Sequence, residues 1–93
     1  MAALDPTQFE PFYKLFPELT PAQTQAVLFM AIGLPGKEVS RVQGYSTSRY
    51  SSLTEEARER LEVPTKAVLR TAVQVRVMMG LVGVSLLAGG NHA

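Results

Sequence analysis

Cysteine is absent from this chain of 93 residues, which removes disulfide staples, thiolate metal sites and cysteine nucleophiles at once. Nothing in the composition then points to an oxidising compartment, and a cytoplasmic location is expected. Histidine occurs once, as His92 beside the last residue, where a solvated side chain is expected rather than a base or a metal ligand. Charge is scarce too: charged residues make up 18% of the chain and the formal net charge is +1. No global field therefore draws the protein onto nucleic acid or an anionic membrane, and affinity for a polyanion has to come from local placement. A basic N-terminal stretch followed by an apolar run is also missing, because Asp5, Glu10 and three prolines interrupt the first residues. No secretory signal is expected, and the mature chain is expected to begin at Met1. The uncharged C-terminal run, residues 77–88, falls short of the roughly 18 to 20 residues that cross a bilayer, so a buried or subunit-interface segment is expected and no membrane insertion.

What is present is an apolar fraction of 46% in a chain that buries only about 60 to 65% of its unfolded surface. One small domain with an apolar surface follows, and such a surface usually meets a partner. Its charge is unevenly spread: up to residue 36 the chain carries one basic against three acidic groups, and from Lys37 to Arg76 eight basic against five acidic. The neighbouring carboxylates Glu55 and Glu56 diverge on a helix and cannot flank one substrate. No catalytic residue, metal site or cofactor is expected, and no enzymatic activity.

The spacing predicts a series of short helices. Asp5-Pro6 is a helix start, and Phe9, Phe12, Tyr13 and Phe16 follow on one helical stripe. Pro11 in the first turns makes this element short or kinked, an aromatic clamp on the rest of the domain. Thr20-Pro21-Ala22-Gln23 is a capping box that opens a helix over 21–32, with Val27, Met30, Ala31 and Leu34 as its stripe and Gly33 as its stop. Pro35-Gly36 opens a second helix over 37–43, with Val39 and Val42 inward, stopped by Gly44. Ser46 caps a third, about 47–61, on which Tyr50, Leu53, Ala57 and Leu61 recur at helical spacing. Two helices joined by Gly44-Tyr45-Ser46 have the form of a helix-turn-helix. After Pro64 a fourth, apolar helix carries Val68, Ala72, Val75, Met79, Val82 and Leu86 at alternating steps of 4 and 3, an a/d seam that is expected to fray at Gly80 and Gly83 and to end at Gly89-Gly90-Asn91. Residues 73–77 alternate like a strand, but no partner strand is visible and helix is favoured.

From Leu19 to Leu81 these residues resemble the DNA-binding domain of LuxR/FixJ-type bacterial transcription regulators (GerE-like). Leu19-Thr20-Pro21 is similar to the family's opening Leu-Thr, Gly33-Leu34 to the end of its first helix, and Lys37-Glu38-Val39 to its Lys-Glu-Ile. Leu61-Glu62-Val63 is similar to its Leu-Gly-Val, Thr65-Lys66 to the start of its fourth helix and Gly80-Leu81 to its closing Gly-Leu. The resemblance implies an all-α fold: a four-helix LuxR-type helix-turn-helix domain (19–81), preceded by a short aromatic N-terminal helix that packs on the core (1–18) and followed by an apolar extension and disordered tail (82–93). The chain departs from the pattern at Gln23 and Gln25, where the family is acidic, at Pro35, where it has a Ser cap, and at Glu62, where it has glycine. Arg49-Tyr50-Ser51 stands where the family's recognition helix begins Thr-Val-Lys.

Docked as the resemblance implies, the start of the third helix would meet base edges through Thr47, Ser48, Arg49, Ser51, Ser52 and Glu55, with Lys37, Arg41, Lys66 and Arg70 on phosphates. Those four cations have a plainer reading as a solvated basic rim, and Tyr50 one as a core residue whose hydroxyl reaches the surface. The seam residues Val68, Ala72, Val75, Met79 and Val82 would pair two copies. The expected function is thus a small transcription regulator that binds double-stranded DNA as a homodimer. The face of Ser and Glu on the third helix keeps a second reading open: a degenerate helix-turn-helix that binds another transcription regulator, as an anti-activator or one subunit of a heteromeric regulator.

Overall fold

The computed structural model describes residues 6–90, with side chains for residues 8–83. Asp5, Asn91 and His92 lie outside the described residues, as does the side chain of Leu86. A 3-10 turn at Pro6–Phe9 leads into a single helical turn, α1 (Glu10–Tyr13), followed by α2 (Pro21–Ala31), α3 (Gly36–Gln43), α4 (Thr47–Arg60) and α5 (Lys66–Gly90). Among the described residues there is no strand, and residues 73–77 lie within α5.

The cuts fall where backbone chemistry requires them. At the start of α2 the Thr20 hydroxyl accepts from the Gln23 N–H at 3.2 Å while the Gln23 side chain accepts from the Thr20 N–H at 3.0 Å, so two otherwise orphaned donors are satisfied. The end of α2 is a Schellman turn: Gly33 has φ +83, and the N–H groups of Gly33 and Leu34 reach back to Met30 and Phe29. Ser46 accepts from the Arg49 N–H at 3.0 Å and opens α4, and Thr65 accepts from the Val68 N–H at 3.1 Å at the start of α5.

The end of α4 repeats the Schellman pattern with a different residue. Glu62 has φ +57, its N–H donates to Glu59 and that of Val63 to Arg58. Glutamate therefore occupies the left-handed position where the resemblance has glycine.

α2 packs against both α4 and α5, while α3 packs on α4. Because α2 runs between two apolar clusters it is buried on nearly all sides. Val27 joins Phe16, Leu19, Ala57, Leu69 and Val73, and Phe29 joins Phe9 and Val39. The stripe expected on α2 is thus only part of its buried surface, with Ala26 and Phe29 buried in addition to Val27. Phe9 of the aromatic segment meets Phe29 edge to face at 5.7 Å.

α5 departs from expectation in one respect: it runs through Gly80 and Gly83 without interruption instead of fraying there. Gly80 has a packing reason. A Cβ at that position would stand 2.8 Å from both terminal carbons of Leu15, so the missing side chain lets the N-terminal segment close onto α5.

Candidate nucleic-acid interface

The start of α4 is held in place from three sides. Its cap is Ser46, its inner face is Leu53, Thr54 and Ala57, and Gly36 at the start of α3 rests against Tyr50 and Thr47. Thr54 satisfies its buried hydroxyl by donating to the Ser51 and Tyr50 carbonyls. On the outside Thr47, Ser48, Arg49, Ser51 and Ser52 are all exposed.

Two of the four expected phosphate ligands converge on this surface. The Lys66 ammonium, from the first turn of α5, donates to the Ser51 hydroxyl and the Ser51 carbonyl, both at 3.3 Å. One turn on, Arg70 lines the same open cleft of about 460 Å³, whose other walls include Gly36, Thr47, Tyr50 and Ser51. Arg70 also lies across the end of α2: a Cβ at Gly33 would stand 3.0 Å from its Nη2. A cation there is favoured by the negative end of the α2 dipole. Tyr50 is half-buried, and burial holds its hydroxyl above the ordinary phenol value against the pull of Arg70, so it stays a neutral donor at the cleft wall.

The other cations are placed differently. Lys37 is exposed next to Gly36, in the first turn of α3. Arg41 turns back onto Glu38 within α3, which neutralises it locally. Arg49 lies 5.9 Å from the centre of the Tyr45 ring, close enough for a cation–π contact across the turn.

Glu55 is engaged rather than free. Its two oxygens accept from Nε and Nη2 of Arg58 at 3.0 and 2.6 Å, a fork that holds the carboxyl below the ordinary carboxylate range. Arg58 in addition donates to the Val63 carbonyl at 2.9 Å, bracing the end of α4.

Sequence reasoning missed the residue that holds the turn. The Gln25 carbonyl oxygen accepts from the Tyr45 hydroxyl at 2.7 Å and from Gln43 at 3.5 Å, and its amide donates to the Tyr13 hydroxyl at 2.8 Å. One glutamine thus joins the N-terminal segment, the end of α3 and the Gly44-Tyr45-Ser46 turn.

The seam residues Val68, Val75, Met79 and Val82 are exposed on α5 and Ala72 is half-buried, whereas Leu69 and Val73 supply the core. Among the described residues no His, Cys, Asp and Glu side chains gather into a group that could hold a metal ion, and no helix is long and apolar enough to cross a membrane. No protein-family model, curated protein or solved structure matches the chain.

Proposed function

We propose that this chain is a small, non-enzymatic bacterial transcription regulator of the cytoplasm that binds double-stranded DNA through a LuxR-type helix-turn-helix. α3 and α4 form the motif, with Thr47, Ser48, Arg49, Ser51 and Ser52 toward the major groove. One observation carries the reading: Lys66 and Arg70 of α5 meet the N-terminal half of α4 at a single cleft. Cations beside a helix start are suited to phosphate, because the free N–H groups there also favour an anion. Lys37 is exposed beside Gly36, which lines the cleft, whereas Arg41 contributes less while it is paired with Glu38. Two copies joined through the outward face of α5 would double these contacts and match a two-fold operator.

Base reading in this account falls to serine and threonine hydroxyls and Arg49, since the Glu55 carboxylate is held by Arg58. Specificity from such a face is modest, and phosphate contacts supply most of the affinity. The test is a titration of duplex DNA at several salt concentrations. Displacement of counterions by several cations gives a log-log slope of several, and the absence of binding at low salt removes the reading.

The outer half of α4 favours a second account. Glu56 and Glu59 are exposed there, next to the Glu55–Arg58 pair. That acidic end suits a basic protein surface better than a polyanion, as required of an anti-activator or one subunit of a heteromeric regulator.

A further inference from the structure

Among the described residues, the large apolar side chains left exposed are Ile32 at the end of α2 and six on α5: Val68, Val75, Met78, Met79, Leu81 and Val82. They are not scattered. Ile32, Met78 and Leu81 border an open groove of about 510 Å³ that Phe12, Leu28 and Val77 also line. Around α5 the surface continues from this groove into Val75, Met79 and Val82, so the seam is one edge of a wider apolar strip.

We propose that a second copy of this chain occupies the groove, so that the dimer is built on Ile32, Met78 and Leu81 together with the C-terminal half of the seam. This rests on the dimer named in the proposed function and changes which residues form it. The argument is one of area. The fractional exposures of the six side chains other than Val68 amount to more than three wholly exposed ones, or roughly 200–450 Å² of apolar surface. A homodimer interface of standard size buries about 800 Å² per partner, near two-thirds of it apolar, so the patch approaches what one partner has to contribute. A two-fold pairing also sets the patch against itself, which satisfies both copies without a complementary surface elsewhere.

The groove's far wall is Phe12, of the aromatic segment that precedes the helix-turn-helix. That segment thus serves the interface as well as the core.

The experiment is sedimentation of the full chain from low micromolar to hundreds of micromolar concentration, with Ile32→Glu, Met78→Glu and Val68→Glu compared. Ile32 is 75% exposed, so its substitution leaves the fold intact, which circular dichroism checks. Ile32→Glu and Met78→Glu are each expected to weaken dimerisation at least about tenfold. Val68→Glu, roughly 20 Å along α5 from Leu81, is expected to weaken it by less than about threefold. A dimer that tolerates Ile32→Glu but is broken by Val68→Glu overturns the groove and leaves a seam dimer standing. A wild-type chain that stays monomeric throughout overturns both.

Discussion

The Lys66 ammonium reaches both oxygens of Ser51, its carbonyl and its hydroxyl, across the gap between α5 and α4. Neither is a carboxylate, so Lys66 keeps its charge available while being steered over the start of α4. Lys66→Ala is therefore expected to lower the slope of log affinity for duplex DNA against log salt by about one, with Arg70→Ala doing the same. Arg41→Ala is expected to change it by less, since Arg41 is already paired with Glu38. Equal effects from all three would mean that the cleft has no special part.

Glu62 holds the left-handed position of a Schellman turn with φ +57, a conformation that costs an L-residue about 1–2 kcal/mol and glycine almost nothing. Glu62→Gly gives back part of that gain through the greater freedom of the unfolded chain. A net stabilisation of about 0.5–1 kcal/mol is expected, seen as a higher urea midpoint with an unchanged slope. A lower midpoint would show that the glutamate side chain contributes more than its backbone costs.

The helix ends were legible because capping is local chemistry. Thr20 with Gln23, Gly33, Gly44 and Ser46 each act on backbone groups within a few residues, and every one performs its expected task. Side-chain partners distant in sequence were not legible. The spacing on α5 fits the exposed seam as well as it fits the buried face of Leu69 and Val73, and only the position of α2 and α4 distinguishes them. Gln25 was unreadable for the same reason, since Tyr13, Gln43 and Tyr45 meet only after folding. At the candidate site, Lys66 and Arg70 lie beside the start of α4, whereas Arg41 is turned onto Glu38. Glu55 pairs with Arg58 three residues on, a contact that helical spacing permits but does not require.

Gln25 offers a direct measure of how the turn is held. Gln25→Leu leaves the Tyr45 hydroxyl without its acceptor and the Tyr13 hydroxyl without its donor, both half-buried. A loss of about 2–3 kcal/mol is expected, from groups desolvated without partners. Tyr45→Phe in the Gln25→Leu background should then cost less than Tyr45→Phe alone, because the bond it would break is already gone. Independent, additive effects in a urea-denaturation cycle would count against the network.

Arg76 and Glu18 set the acid limb of stability. Arg76 donates to a Glu18 carboxylate oxygen at 2.7 Å and to the Leu15 carbonyl at 3.1 Å, and its guanidinium lies 5.1 Å from the centre of the Phe16 ring. The hydrogen bond from Arg76 is the main reason that the Glu18 carboxyl sits below its ordinary value of 4.5. A carboxyl depressed in the folded state stabilises fully above its unfolded value, and that contribution is lost as pH falls through the depressed folded one. The stability difference between wild type and Glu18→Gln should therefore be constant above about pH 5 and shrink towards zero below about pH 3. Its plateau is at most about 1 kcal/mol, because both partners are more than a third exposed and solvent screens the pair. Arg76→Leu is expected to cost about 1–2 kcal/mol with a component that persists at low pH, since the Leu15 carbonyl and the Phe16 ring lose their partner whatever the state of Glu18. Urea midpoints at pH 3, 5 and 7 separate the two terms, and a Glu18→Gln difference that grows towards acid would reverse the assignment.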